Sequence, residues 1–266
     1  MVLMGCIAED LAIGSDLAAR LARSGVAVNL RLGTPDAAGT GAPADEIAPF
    51  EVVALGRRAL PAAEAVAAAR AAWDRLAARG ATRCHWAYRA TGPEPDDAAG
   101  AVADALADAL GEAGSPAIHA CASPEDGIAV RAGRLLAAGA SPVADGADAP
   151  GPAHDVDLVA RLRRGTPRPV ATLGSGTVRA GRAAIAAELD ALAAAGAAHV
   201  VADAVSDLDL VELVRASEGR RLLCGAVAFA GHVPALCRVR GWLPAGAPAR
   251  AGSARGHRTG PLSPPG

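Results

Sequence analysis

The sequence predicts an α/β fold: a doubly wound, mostly parallel sheet with helices on both faces. Three observations predict it. Short apolar runs alternate with stretches of helical periodicity along most of the 266 residues. Glycine stands just past helical stretches, as at Gly25 and Gly80. Charged residues gather directly after the apolar runs: Glu9-Asp10, Arg57-Arg58, Glu125-Asp126 and Asp203. In a parallel sheet that is the rim where ligands bind.

The elements follow in order. Residues 2–8 read as a buried strand ending in two carboxylates. "SDLAARLARS" (15–24) reads as a helix with Ser15 as N-cap and Leu17 and Leu21 on its apolar face. A strand over 26–32 precedes a long Gly/Pro-rich loop (33–50) and a strand over 51–56. The helix 61–80 has Pro61 at its start and Gly80 past its end. Next come a strand over 83–89, a polar loop, a helix over 99–114 and a strand over 117–122. In that helix Asp104 and Asp108 read as solvent-facing, opposite Val102, Leu106 and Leu110. "SPEDG" (123–127) is a loop, 139–155 a loop or linker that could divide the domain, and 155–165 a short helix. Strands over 169–174, 198–205 and 221–230 alternate with helices over 182–195 and 207–217, the last capped by Asp207. The predicted domain is 1–243. Residues 244–266 lack periodicity and predict a disordered tail.

Composition narrows the function. The chain is 52% hydrophobic but has only two Phe, one Tyr and three Trp, so its core is built of Ala, Val and Leu. The net charge of −2 and the lack of a basic cluster speak against nucleic acid. There is no lysine: all 26 cationic side chains are Arg. That excludes a Schiff base and the lysine of a GxxxxGK[ST] phosphate loop. Five Cys without C-x-x-C spacing predict buried free thiols and a cytoplasmic protein. No run approaches the ~18 apolar residues of a membrane helix. No metal cluster of His and Cys and no Ser/His/Asp constellation stands out.

Several segments resemble a known family. "AEDLAIGSD" (8–16) is similar to an ADDLTGA-x-D motif, "GRRALP" (56–61) to a Ser-Arg before "SLP", and "ACASPEDGI" (120–128) to "CPAFPENGR". "DAVSDLDL" (203–210) resembles "DAISDxDL", and "CGAVAFA" (224–230) a Gly-rich strand end. Their order and spacing, over roughly 3–243, resemble the N-terminal domain of the four-carbon acid sugar kinases. These are ATP-dependent kinases of acids such as threonate and erythronate. The chain departs from the family at 87–100, where "AYRATGPEPDDAAG" replaces "KxxSTFDSTxRGNIG" and only Gly100 survives. Ala12 and Ile128 replace a Thr and an Arg.

The resemblance implies a sugar-acid pocket. Glu9, Asp10 and Asp16 would accept hydrogen bonds from ligand hydroxyls. A strand-end turn and a solvated helix face explain them equally well. Arg58 would fork onto the carboxylate. Glu125, Asp126 and Gly127 would contact hydroxyls, although Pro-Glu-Asp-Gly is also an ordinary turn. His154 lies in a loop that the family uses near its substrate. ATP and Mg are implied by the family, on a second domain that this chain does not include. The expected role is therefore the substrate-binding half of a sugar-acid kinase, inactive alone, with a separate nucleotide-binding domain or subunit as partner. The alternative is a non-catalytic sugar-acid-binding module. A third reading is a nucleotide-binding protein using the 174–181 loop, whose G-x-G-x-x-x-x-G spacing does not fit a dinucleotide fingerprint.

Overall fold

The computed structural model describes residues 1–33, 47–91, 98–112, 114–137 and 154–244. The expectations for 34–46, 92–97, 138–153 and the tail 245–266 lie outside the described residues.

Eight short strands form one sheet: β1 (Met4–Ala8), β2 (Val28–Leu32), β3 (Phe50–Ala54), β4 (Cys84–Ala87), β5 (Ala117–Ala120), and, further along the chain, β9 (Val170–Leu173), β10 (His199–Ala202) and β11 (Leu222–Gly225). Their order is β2-β3-β1-β4-β11-β5-β10-β9, and every pairing is parallel. The doubly wound parallel sheet expected from the sequence is present. Every residue of β1, β3, β4, β5, β10 and β11 is buried, as a sheet covered on both faces requires.

Helix α1 (Leu11–Arg23) lies against β1 and β3 and packs on a helix late in the chain, α8 (Val227–Gly231), which touches α7 (Asp207–Ala216). On the other side, α2 (Ala62–Ala78) packs on α3 (Ala98–Leu110), and α3 on α4 (Leu158–Gly165). Small residues set these distances. Gly14 of α1 comes close to Ala8 and Ala54, and Gly5 of β1 leaves room for Leu76 of α2. The core is Ala, Val and Leu around a few fully buried large side chains, among them Trp86, Phe50 and Phe229. Cys6, Cys84 and Cys224 sit on neighbouring strands, free and buried. Burial pushes the Cys6 thiol up to about 12 and raises the other two. The remaining helices are α5 (Ser175–Arg179), α6 (Arg182–Ala194) and α9 (Val233–Val239).

Several boundaries differ from the sequence reading. Helix α1 starts four residues before Ser15, because Asp10 caps it: its carboxylate accepts the Ile13 N–H at 2.8 Å. Helix α7 is capped by Ser206, not Asp207, in a reciprocal capping box with Asp209. The apolar run 221–230 is not one strand. It breaks at Gly225 (φ +121), after which Val227–Gly231 is helical. Gly174–Gly181 holds the short helix α5 rather than a plain turn.

A second sheet was not anticipated. Strands β6 (Ile128–Arg131), β7 (Arg134–Ala137) and β8 (His154–Asp157) pair antiparallel. The end of the expected 139–155 loop is therefore strand, and Asp157 caps α4. The β6–β7 turn places Ala132 at φ +49 beside Gly133 at φ +72. A non-glycine residue there is strained. Asp203 compensates: its carboxylate accepts the N–H groups of Ala132 (2.9 Å), Gly133 (3.0 Å) and Ser175 (3.0 Å). One buried acid after β10 thus fastens the small sheet and the start of α5 to the large one.

Three outcomes follow from this packing. An unfolded histidine titrates near 6.5, whereas burial lowers His85 to about 3. The unfolded chain therefore takes up the extra proton between those values. Stability that is full above pH 6.5 is lost as the pH falls, by about 2 kcal/mol from His85 between pH 7 and 5. Urea unfolding at the two pH values measures this, and His85→Leu flattens the slope. Asp203→Asn weakens three charge-assisted bonds and lowers stability by about 2–4 kcal/mol, whereas Ala132→Gly relieves strain and raises the melting temperature. Gly225→Ala would put a Cβ 2.3 Å from the Ala120 carbonyl oxygen and costs about 3 kcal/mol or more by the same measurement.

Candidate ligand cleft at the carboxyl ends of β1 and β4

The winding of the large sheet reverses between β1 and β4. Strands β3 and β2 lie to one side, and β11, β5, β10 and β9 to the other. Such a switch point leaves a crevice beyond the strand ends, because the neighbouring connections diverge to opposite faces. A cleft of about 340 Å³ opens there. Its walls come from α1 (Ala12, Ile13, Asp16), from Tyr88–Thr91 after β4, from Cys121, Ser123 and Asp126 after β5, and from Ala226 and Val227 after β11. Ile128 and Leu135 of the small sheet close one side.

The paired carboxylates at the end of β1 have structural partners. One oxygen of Asp10 caps α1, and the other lies 3.4 Å from Arg89 Nη2. Glu9 accepts the Arg89 backbone N–H at 2.8 Å. The pair stitches the end of β1 to the end of β4 and aims Arg89 along the cleft, where its side chain stays 49% exposed.

Asp16, Glu125 and Asp126 gather around one cation. Arg20 of α1 pairs with Asp16 at 3.3 Å, with Asp126 at 3.0 Å and with Glu125. Ser123 Oγ also donates to Asp126. Asp16 and Asp126 line the cleft. Gly127, at φ +72, ends the tight turn Pro124–Asp126 that holds them. Arg58 is exposed beyond β3, on the same rim as Asp10 because β1 and β3 run parallel, but it does not line the cleft. His154 begins β8, and its side chain is outside the described residues.

Two groups escaped the sequence reading. Arg89 lies two residues past the end of β4, at the last position of the strand expected over 83–89, and that rim position was the available signal. Asp104 is not solvent-facing: it is largely buried and accepts from His199 Nε2 at 2.8 Å and from Thr166 at 2.5 Å. Burial raises its carboxyl pKa, but the hydrogen bonds from His199 and Thr166, with the Arg168 guanidinium nearby, outweigh burial and hold it below the usual range. No sequence signal distinguished it from Asp108, because its partners lie 62 and 95 residues away.

The cleft does not resemble a Mg–ATP site. Among the described residues no group of three or more His, Cys, Asp or Glu side chains is arranged to hold a metal. Its acids are engaged by Arg20, Arg89 and backbone N–H groups. The Ser175 N–H at the start of α5 is already taken by Asp203, which weakens the reading of 174–181 as a phosphate loop. Among the described residues no helix is long and apolar enough to cross a membrane.

A parallel α/β domain with its cleft at the switch point is the architecture of a small-molecule-binding domain. Residues 4–233 match the family described as Sugar-binding N-terminal domain, and the chain belongs to that family, the N-terminal domain of four-carbon acid sugar kinases. A relative named 3-oxo-tetronate kinase, from Methylobacterium radiotolerans, is 37% identical over 227 residues, covering 84% of this chain and 52% of the relative. The chain spans about half the length of the curated relatives it matches. The crystal structure of Haemophilus influenzae protein HI1011 shares the fold, with a TM-score of 0.74 at 23% identity, covering 89% of this chain and 56% of that one. A domain of unknown function from Bordetella bronchiseptica, crystallised with bound citrate as a domain-swapped dimer, is 26% identical with a TM-score of 0.62, covering 88% of this chain and 56% of that one.

The two roles of Asp10 are separable. Asp10→Asn keeps the cap and leaves stability within a few tenths of a kcal/mol, whereas Asp10→Ala loses about 1 kcal/mol in urea unfolding.

Proposed function

We propose that the domain binds a small four-carbon sugar acid in this cleft and serves the substrate side of an ATP-dependent sugar-acid kinase. The observation that carries this is Arg89, a half-exposed guanidinium whose backbone N–H is held by Glu9 and whose side chain lies 3.4 Å from Asp10, in a cleft that Asp16 and Asp126 also line. A planar cation and carboxylate acceptors in one cleft suit a ligand that carries both a carboxylate and hydroxyls. The name 3-oxo-tetronate kinase and the citrate of the Bordetella domain support a small acid.

In this reading Arg89 takes the carboxylate, and Arg58, outside the cleft on the same rim, assists its approach. Asp16 and Asp126 accept ligand hydroxyls, with Glu125 and Gly127 shaping their turn. Glu9 and Asp10 act through Arg89. ATP and Mg bind outside the described residues, on a nucleotide-binding domain or subunit, and this chain alone does not turn over. One observation favours a non-catalytic binding module instead: the family's Lys and Asp-Ser-Thr are missing from 87–100.

Calorimetry with threonate, erythronate and 3-oxo-tetronate tests the reading. Binding of at least one is expected, with Arg89→Gln weakening it tenfold or more and Arg58→Gln weakening it less. No binding at millimolar ligand overturns it. A coupled ATPase assay decides the second point, since turnover by this chain alone would refute its dependence on a separate nucleotide site.

A further inference from the structure

Helix α4 turns one of its three arginines inward. Arg163 and Arg164 are exposed, but Arg161 shares the inner face with Leu158 and Leu162 and is only 5% exposed. A guanidinium is costly to bury, and an apolar side chain of similar volume would seat the helix without that cost. One of the bonds of Arg161 reaches the wall of the cleft: Nη1 donates to the Ala90 carbonyl oxygen at 2.7 Å. Ala90 lines the cleft, directly after Arg89, whereas Arg161 does not line it.

That bond completes a series. Where the chain leaves β4, the Tyr88 N–H donates to the Gly225 carbonyl oxygen at 3.3 Å, the Arg89 N–H to the Glu9 carboxylate at 2.8 Å, and the Ala90 carbonyl accepts from Arg161. Three successive residues are thus fastened to the end of β11, to the end of β1 and to α4. The first two bonds hold the chain as far as the Arg89 nitrogen, and Arg161 holds it on the other side. The Arg89 side chain is held loosely, 3.4 Å from Asp10 and half exposed, so its aim depends on its backbone. Helix α4 is a firm support. Its Leu158 N–H donates to the Gly133 carbonyl oxygen at 3.0 Å, and α3 lies so close that a Cβ on Gly100 would meet the Leu162 carbonyl oxygen at 3.0 Å.

We propose that Arg161 is a positioning residue of the cleft: through the Ala90 carbonyl it fixes the backbone from which Arg89 is aimed at a ligand carboxylate. The inference rests on the sugar-acid reading above and extends it to a support 71 residues beyond Ala90 in the chain. A guanidinium that must meet two carboxylate oxygens in one plane tolerates little displacement. Freeing the Ala90 carbonyl therefore weakens binding although no group that touches the ligand is removed. A charged donor also makes a stronger bond to a carbonyl than a neutral one, which accounts for a cation at this inward position.

Two measurements on the full chain test this. The first needs no ligand: amide hydrogen exchange compares the wild type with Arg161→Met. The Arg89 amide is expected to exchange about tenfold faster or more, beyond any change at Gly5 and Trp86 in the central strands. An unchanged Arg89 rate, or a rise shared equally by all three amides, overturns the proposal, because Arg161 then only seats α4. If the Met variant does not fold, Arg161→Gln, neutral and too short to reach Ala90, carries the same comparison. The second is calorimetry with whichever of threonate, erythronate and 3-oxo-tetronate the wild type binds. Arg161→Met is expected to weaken binding about fivefold or more, to add less than about twofold in an Arg89→Gln background, and to add in full to Asp126→Asn. Arg161→Lys, which still offers a charged donor to Ala90, is expected to bind within about threefold of wild type. Undiminished binding in Arg161→Met, full additivity with Arg89→Gln, or a Lys variant as weak as the Met variant overturns the proposal. Failure of all three acids to bind the wild type overturns the sugar-acid reading, while the exchange rates still decide whether Arg161 holds the Arg89 backbone.

Discussion

Parallel pairing is the constraint from which the rest of the molecule follows. Eight strands hydrogen-bonded in one direction must all finish on one rim, and each connection must cross a face to return. Side chains from residues far apart in sequence, such as Asp16, Arg89 and Asp126, therefore meet at one edge. The reversal of winding between β1 and β4 keeps that edge from closing over. The Glu9–Arg89 and Asp10–Arg89 links act at this gap, where the two halves of the sheet have diverging connections.

The lack of bulk in the core has structural consequences. Helices approach the sheet closely because Gly5, Gly14 and many Ala residues allow it, and few aromatic side chains fix their positions. Polar clamps supply part of the missing specification. Asp203 orders a strained turn and a helix start, and Arg20 ties α1 to the turn after β5. Deleting the Asp203 carboxylate leaves poorly solvated N–H groups behind, so that residue weighs most, whereas the acids around Arg20 are about half exposed and stay solvated.

The alternation of strands and helices was legible because apolar runs and caps are local signals. What failed was also local, but ambiguous. Residues 221–230 are apolar throughout, and such a run does not separate a strand from a buried helix; only the backbone at Gly225 does. The β6–β7 hairpin turns on Ala-Gly instead of Asn-Gly, and the acid that stabilises it lies about 70 residues downstream. Ser206 and Asp209 did carry a capping signature, which the adjacent Asp207 obscured. In the cleft, the acids were legible as strand-end residues. Their engagement by Arg20 was not, and neither were the partners of Asp104, because nothing local records a partner brought in by the fold.

The three strand cysteines have a chemical consequence. Cys6, Cys84 and Cys224 are sealed at the middle of the sheet, with ionisation suppressed by burial. Electrophiles and oxidants react with thiolates, so these sulfurs are inert while the sheet holds together. They become reactive only when β1, β4 and β11 separate. The rate at which a thiol reagent consumes them is thus an intrinsic clock for whole-sheet opening, independent of any ligand or enzymatic assay.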